Sequence, residues 1–300
     1  MRNRAERRQR TAFLAAFLLP TFLFFCMFMG YPVVNGLYLS FFDWSGGSET
    51  MNFIGLDNYR KLAHDPIAWK SIVNDYALVL GKTVGIMLLA TFFAVSLARF
   101  ALKGTGFYRS VFFIPNVISV VVIGVLWRYI YNPNLGFLNG FLSLVKGESV
   151  ATPWLGNADT ALWAILAPSI WAGIGFYMLL LIAAILTVPE SIYESARLDG
   201  ATQWEQFWQV TLPLVWEQAK VSVLHIVMTT LNGSFIIVLV MTEGGPDNAT
   251  QVMGSYLYQM GFRQFHLSYA ATIGVLILAL SLLTTALLHR IMRKDTQELA

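Results

Sequence analysis

Six stretches of this chain are apolar over the length that a bilayer demands, and the polar residues gather in the gaps between them. They run from Ala12 to about Tyr38, Tyr76 to Leu97, Val111 to Tyr131, Ala161 to Val188, Leu214 to Met241 and Leu267 to Leu288. A helix needs about 20 mostly apolar residues to cross the hydrocarbon core, so each stretch is predicted to be a spanning helix. The third, fourth and sixth carry no acidic or basic side chain except Arg128, near the end of the third. The first follows Arg2, Arg4, Arg7, Arg8 and Arg10. A basic start before an apolar run also describes a signal peptide. Here the apolar run continues from Thr11 to Phe42, too long for a signal core, and no small-x-small cleavage site closes it. A retained span is expected.

Composition agrees. Of 300 residues, 56% are hydrophobic and only 12% charged, where a soluble domain has about 25% charged. The fold class is all-α integral membrane. Orientation follows from Lys and Arg, which favour the cytoplasmic side. An internal N-terminus puts those five arginines inside, with Arg99, Lys103, Arg109, Arg197, Arg290, Arg293 and Lys294. Outside remain Arg60, Lys61, Lys70, Arg128, Lys146 and Arg263. Twelve against six predicts both termini cytoplasmic. The expected organisation is a basic N-terminus over residues 1–11, a transmembrane domain over 12–291 and a cytoplasmic tail over 292–300. The net charge of +3 is mostly this topology signal, and no nucleic-acid patch is visible. Cys26 is the only cysteine, which excludes an internal disulfide and a Cys-based zinc site.

Little in the chain suggests catalysis. Gly81-Lys82-Thr83 looks like the end of a phosphate-binding loop, but that motif needs a glycine five residues earlier, where Tyr76 stands. The chain is not expected to hydrolyse ATP itself or to be an enzyme. His64, His225, His266 and His289 show no metal-ligand spacing. Gly81 and Gly85 read as a close-packing pair for a neighbouring helix.

The gap between the fourth and fifth runs, residues 189–213, is neither a short turn nor a flexible linker. It holds Glu194-Ser195-Ala196-Arg197-Leu198-Asp199-Gly200, nine residues, then Val210-Thr211-Leu212-Pro213. Two short helices hinged at Gly200 fit it, because glycine permits the sharp bend. Pro213 pre-sets the next helix start. Tyr193, Ala196, Leu198, Ala201, Trp204 and Phe207 give it apolar faces where a loop would otherwise be wet; such faces usually mark partner surfaces, the competing role for the aromatics being to lie at the membrane interface.

This loop resembles the EAA loop of the membrane subunits of binding-protein-dependent ABC importers, with Ser195 in place of the middle alanine and Val210 in place of isoleucine. Further matches are Phe53-Ile54-Gly55-Leu56-Asp57-Asn58-Tyr59 and Thr242-Glu243-Gly244-Gly245-Pro246. They resemble the carbohydrate branch, the maltose- and glycerol-phosphate-type sugar permeases. The resemblance implies the six-helix core of a type I importer permease. It implies a second homologous permease subunit, two ATPase subunits and an extracytoplasmic sugar-binding protein as partners, besides membrane lipid. ATP and Mg would bind the ATPase subunits, and no cofactor or metal is expected in this chain. Glu194, Ala196, Asp199, Gly200, Ala201, Trp204, Phe207 and Pro213 would couple the loop to the ATPase. The alternatives are a glycerol-phosphate or polyol importer and, from another class, an ion-coupled secondary transporter. A phosphate substrate would favour a cation at the cavity, for which only Lys82 is a candidate. A secondary transporter would show buried acidic residues and repeated halves, and neither is read here.

A sugar cannot cross hydrocarbon unaided, because each buried hydroxyl without a partner costs several kcal/mol, roughly 2–7. Helices must enclose a polar path. The resemblance puts substrate contacts at Asn116 after Pro115, at Ser169, Trp171 and Gly173 in the fourth run, and at Thr230, Asn232 and Ser234 in the fifth. Amides and hydroxyls suit sugar hydroxyls because they both donate and accept. Interhelical hydrogen bonding or packing is the competing role for each. Glu217 and Lys220, three apart, are expected to form a local ion pair. Lys82 is expected to extend toward the membrane surface.

Overall fold

The structure, a computed structural model, describes residues 4–47, 50–100 and 103–292, with side chains from Arg10 onward. Arg2, Arg293, Lys294 and most of the expected C-terminal tail lie outside the described residues. The described chain is helical apart from one two-stranded ribbon. In order it has α1 (Arg4–Phe25), a π-helical turn (Cys26–Gly30), α2 (Tyr31–Leu39), β1 (Phe42–Asp43), β2 (Asn52–Phe53) and α3 (Asp57–Ala63). There follow α4 (Pro66–Arg99), α5 (Thr105–Val117), α6 (Val120–Ile130), α7 (Phe137–Lys146), α8 (Ala158–Leu186), α9 (Glu190–Leu198) and α10 (Gln203–Gln206). The last are α11 (Leu212–Leu214), α12 (Trp216–Met241), α13 (Met253–Tyr258) and α14 (Leu267–Met292), with π-helical turns at Phe207–Thr211 and Gln259–Arg263.

Five helical segments among the described residues are long and apolar enough to cross a membrane: Arg10–Leu39, Pro66–Arg99, Ala158–Leu186, Trp216–Met241 and Leu267–Met292. The third predicted span differs from expectation. It is two helices, α5 and α6, meeting at 98°. Ile118 and Ser119 between them are extended, and the Ser119 hydroxyl accepts from the Val121 N–H to start the new helix. An N-cap serine competes with helix continuation, and Pro115 in the turn before already lacks a donor. Counting the bent pair as one span gives six. The second span also starts earlier than its apolar run, at Pro66 rather than Tyr76.

The chain divides into two units, Met1–Asp65 with Leu257–Leu276, and Pro66–Tyr256 with Ile277–Ala300. In the first, the sequence element around Asn58 has a structural role. The buried Asn58 amide donates to the Ser40 and Phe42 carbonyls at 3.0 and 2.8 Å, and Tyr59 pairs with the Ser40 hydroxyl at 2.6 Å. These bonds close the turn after α2, where Phe42 pairs with Phe53. Tyr269 of α14 donates to Asp65 at 2.6 Å, and Lys61 lies over its ring.

In the second unit, α8 packs along α4 through small residues. A side chain at Gly81 would run into Leu166, one at Gly85 into Ile170, and one at Gly173 into Ile86. The Gly81/Gly85 spacing thus has the packing role it was expected to have. Membrane helices gain little from apolar burial as such and associate through close backbone approach. The α5–α8 contact is closer still, since a Cβ on Gly175 would strike the Phe112 backbone. Ile86, Ala90, Ala94, Met178, Leu181 and Ile226 lie at the centre of the resulting core. One expectation is corrected here. An acidic side chain is buried: Asp75, 5% exposed, in the part of α4 that precedes the predicted span. It accepts the Met253 N–H at 2.9 Å and so holds the start of α13.

Candidate functional site

The loop between α8 and α12 is built from local signals. Pro189, extended, is the residue from which α9 starts. At the other end of α9, the Ala201 N–H reaches the Ala196 carbonyl and the Gly200 N–H the Arg197 carbonyl. These two bonds are the Schellman arrangement that ends helices at a left-handed glycine. Gly200 has φ +83° and open space around its Cα, so backbone conformation alone demands glycine there. Thr202 then begins α10 with a full capping box, its hydroxyl accepting the Glu205 N–H and the Glu205 carboxylate accepting the Thr202 N–H. Donation to that carboxylate, first from the Thr202 hydroxyl and then from the Thr202 N–H, each at 2.7 Å, holds it below its ordinary pKa.

The loop has a buried back and an exposed front. Tyr193 is 1% exposed, and its hydroxyl meets the Thr211 hydroxyl at 3.1 Å. Thr211 reaches the Gln206 carbonyl, and the Gln206 amide reaches Ala201 at 2.9 Å. In front, Leu198 is 89% and Trp204 69% exposed, with Trp208 beside Trp204. Phe207 and Ala201 are half-buried, as is Ala196, while Glu194, Asp199 and Pro213 are exposed. Among the described residues Glu194 has no hydrogen-bond or ion-pair partner. Of the loop's expected coupling residues, Trp204, Glu194 and Asp199 are thus on the open side, and Gly200 shapes the turn. Tyr193, Gln206 and Thr211 form the internal support. Sequence reasoning counted Tyr193 only as part of an apolar face and passed over the other two, because a buried polar network has no spacing signature.

The expected mid-span residues separate when placed. On α12, Thr230 is fully buried and Ser234 nearly so, and each hydroxyl bonds its own helix, to the Ile226 and Thr230 carbonyls at 2.6 and 2.7 Å. Asn232 lies on the opposite, exposed face with His225 and Thr229. Positions 225, 229 and 232 recur at helical spacing, a signal the sequence contained and that went unread. The Tyr177 hydroxyl pairs with His225 Nδ1 at 2.9 Å and fixes that ring from α8. On α8, Ser169 bonds the Ile165 carbonyl, and Gly173 is occupied in packing against Ile86. Trp171 meets Trp127 edge-on at 6.2 Å. Asn116 is exposed beside the α5–α6 break, and its amide reaches the Ala172 carbonyl at 3.5 Å. Asn116 and Trp171 are therefore brought into one neighbourhood. Lys220, nearly buried, pairs with Glu217 at 2.6 Å, the local ion pair that its spacing predicted. Among the described residues no cluster of His, Cys, Asp and Glu could hold a metal ion.

Packed apolar helices, a broken span and an internally braced loop with an open aromatic front define a multi-pass membrane protein. Residues 86–296 match the family described as binding-protein-dependent transport system inner membrane component. The chain belongs to that family, the multi-pass permease subunits of ABC importers. It is 34% identical over 289 residues to the probable ABC transporter permease protein YurN of Bacillus subtilis (strain 168), covering 94% of this chain and 96% of that one. It is 30% identical over 301 residues to the diacetylchitobiose uptake system permease protein NgcF of Streptomyces coelicolor, covering 97% and 85%. In fold it is similar to a chain of the bacterial alginate ABC transporter crystallised with an alginate pentasaccharide-bound periplasmic protein. The TM-score there is 0.85 at 22% identity, over 97% of this chain and 98% of that one.

Proposed function

We propose that this permease carries a sugar or oligosaccharide, delivered by an extracytoplasmic binding protein, through a polar path between helices. It would do so beside a second homologous permease, with two ATPase subunits docked on the loop at 189–213. Both termini and that loop would be cytoplasmic. The observation that carries the reading is the loop itself: a braced element whose apolar front finds no cover among the described residues. An apolar surface of this kind, on a connection that could as well be polar, marks an interaction surface, and a docked ATPase subunit is the partner proposed for it. Glu194 and Trp204 are its docking groups, and Gly200 sets the angle between its two helices.

The sugar class is supported by the uptake system named for one relative and by the exposed polar stripe His225, Thr229, Asn232 at the middle of a membrane-spanning helix. A membrane helix does not turn such a face to lipid. Asn116 and Trp171 at the α5–α6 break are the second element of this path. The placement of Thr230, Ser234 and Gly173 favours packing roles, so the substrate proposal rests on Asn232, Asn116 and Trp171. A glycerol-phosphate substrate would want a cation on the path, and the stripe of His225, Thr229 and Asn232 carries no Lys or Arg.

The test is to purify the chain from its native membrane with its associated proteins and reconstitute the complex in liposomes. A co-purifying ATPase whose turnover rises with one sugar-loaded binding protein establishes the reading and the substrate together. A chain with no associated ATPase, or turnover indifferent to every loaded binding protein, overturns it.

A further inference from the structure

The coupling loop is fixed to the transmembrane core at a third point besides its two covalent ends. Arg99 is the last residue of α4, and its guanidinium makes two kinds of contact with α9. Its edge faces the Glu190 carboxylate, with Nη1 donating to Oε2 at 2.7 Å and Nη2 to Oε1 at 3.4 Å. Its centre lies 3.4 Å from the centroid of the Tyr193 ring. Arg197 closes the other side of the carboxylate, donating to Oε1 at 3.0 Å. The Arg99 side chain is only 20% exposed, whereas Glu190 is 54% exposed.

We infer that Arg99 is a positioning residue for coupling: it joins α4 to α9, so that displacement of the loop moves the α4–α8 pair as one body. The physical grounds are geometric. An isolated surface ion pair holds two flexible chains weakly. Here the planar guanidinium is held in two directions at once, by a carboxylate at its edge and a ring on its face, which suits arginine and not lysine. The ring it covers belongs to the loop's internal support. Through the Tyr193 hydroxyl, Thr211 and Gln206, the network continues to Ala201, beyond the Gly200 hinge. One connected set of contacts therefore runs from the end of α4, through α9, to the chain on both sides of α10. Without Arg99, α9 keeps its connection to α8 and its Tyr193–Thr211 contact but loses its link to the end of α4, and a push on the loop would be spent partly in tilting α9.

This inference rests on the reading of the loop as the ATPase-docking element, and the experiment separates the two. The complete transporter is reconstituted in proteoliposomes, and sugar moved per ATP hydrolysed is measured with basal ATP turnover and the amount of ATPase retained. If the wild-type complex does not couple ATP hydrolysis to uptake, the reading of the loop fails and the inference with it. If it does, Arg99→Gln is expected to retain the ATPase and basal turnover while sugar moved per ATP falls at least five-fold. Arg99→Lys should recover part of the loss. Glu190→Ala, at an exposed position that leaves the Tyr193 ring in place, should fall in the same direction by two- to three-fold. It carries the test if Arg99→Gln does not assemble. Wild-type coupling in whichever variant assembles overturns the inference while leaving the docking reading intact.

Discussion

The connections at 189–213 and at 242–253 both turn the chain at a left-handed glycine, Gly200 at φ +83° and Gly244 at φ +89°, yet they treat their surfaces in opposite ways. Around Gly200 there is open space, and a Cβ there would meet nothing. Around Gly244 there is none, since a Cβ would enter the Gln251 side chain. The second loop is closed from within. Thr250, fully buried, donates to the Gly245 carbonyl at 2.7 Å and pairs with the Thr242 hydroxyl at 2.7 Å. It is also pinned by α4, where the Asn74 amide donates to the Ala249 and Gln251 carbonyls at 3.0 and 2.8 Å and Lys70 to Asp247 at 2.9 Å. The first loop secures only its back and leaves tryptophans in front. One loop is closed by its own chain, and the other leaves its front open among the described residues, as the proposed docking reading needs.

The contrast can be broken most severely at Gly244. Gly244→Ala combines left-handed strain of about 1–2 kcal/mol with overpacking of about 1–3 kcal/mol. A large fall in the thermal stability of the detergent-purified protein is expected, and an unchanged melting temperature would show that the loop is not closed as described. Gly200→Val carries similar backbone strain without a clash. It should leave assembly and binding-protein affinity intact and abolish substrate-stimulated ATP hydrolysis. Normal stimulation would remove the coupling role from this hinge. Thr250→Val deletes two buried bonds at similar size and should cost about 1–3 kcal/mol, whereas the exposed Trp204→Ala should cost little stability and weaken retention of the ATPase. Comparing unfolding of the isolated chain with co-purification for this pair tests the division directly. Asn232→Ala should lower uptake several-fold without loss of assembly, and wild-type uptake would take Asn232 off the path.

The smallest effect is one of pH. Hydrogen bonds from Arg99, then the charges of Arg99 and Arg197, hold the Glu190 carboxyl below its ordinary range. A carboxylate with a lowered folded-state pKa contributes fully above its unfolded value and loses that contribution as pH falls through the folded one. The Arg99–Glu190 link should therefore be constant from neutral pH down to about 5 and weaken only below the ordinary Glu value of about 4.3. Coupling efficiency measured between pH 5.5 and 8 should show no step from this group. A step inside that range would show that a group other than Glu190 limits coupling.

Much of this was legible in residue order, because hydrophobicity and turn chemistry are local. Apolar length gave the spanning helices, and the spacing from Glu194 to Pro213 gave two short helices about Gly200. Glycines at 81 and 85 gave a packing face. Residue order did not give the break at Ile118–Ser119, since an apolar run reads the same whether its helix is continuous or bent through 98°. Nor did it distinguish Thr230 and Ser234 from Asn232, which alternate around α12 within four residues. Which of them is buried depends on what packs against each face. The joint from Arg99 to Glu190 spans 91 positions, and Asn74 reaches its carbonyl partners across 175 and 177. No periodicity encodes such pairs. They exist only once packed helices bring distant side chains within hydrogen-bond reach, and that is the part of this protein its tertiary structure decided.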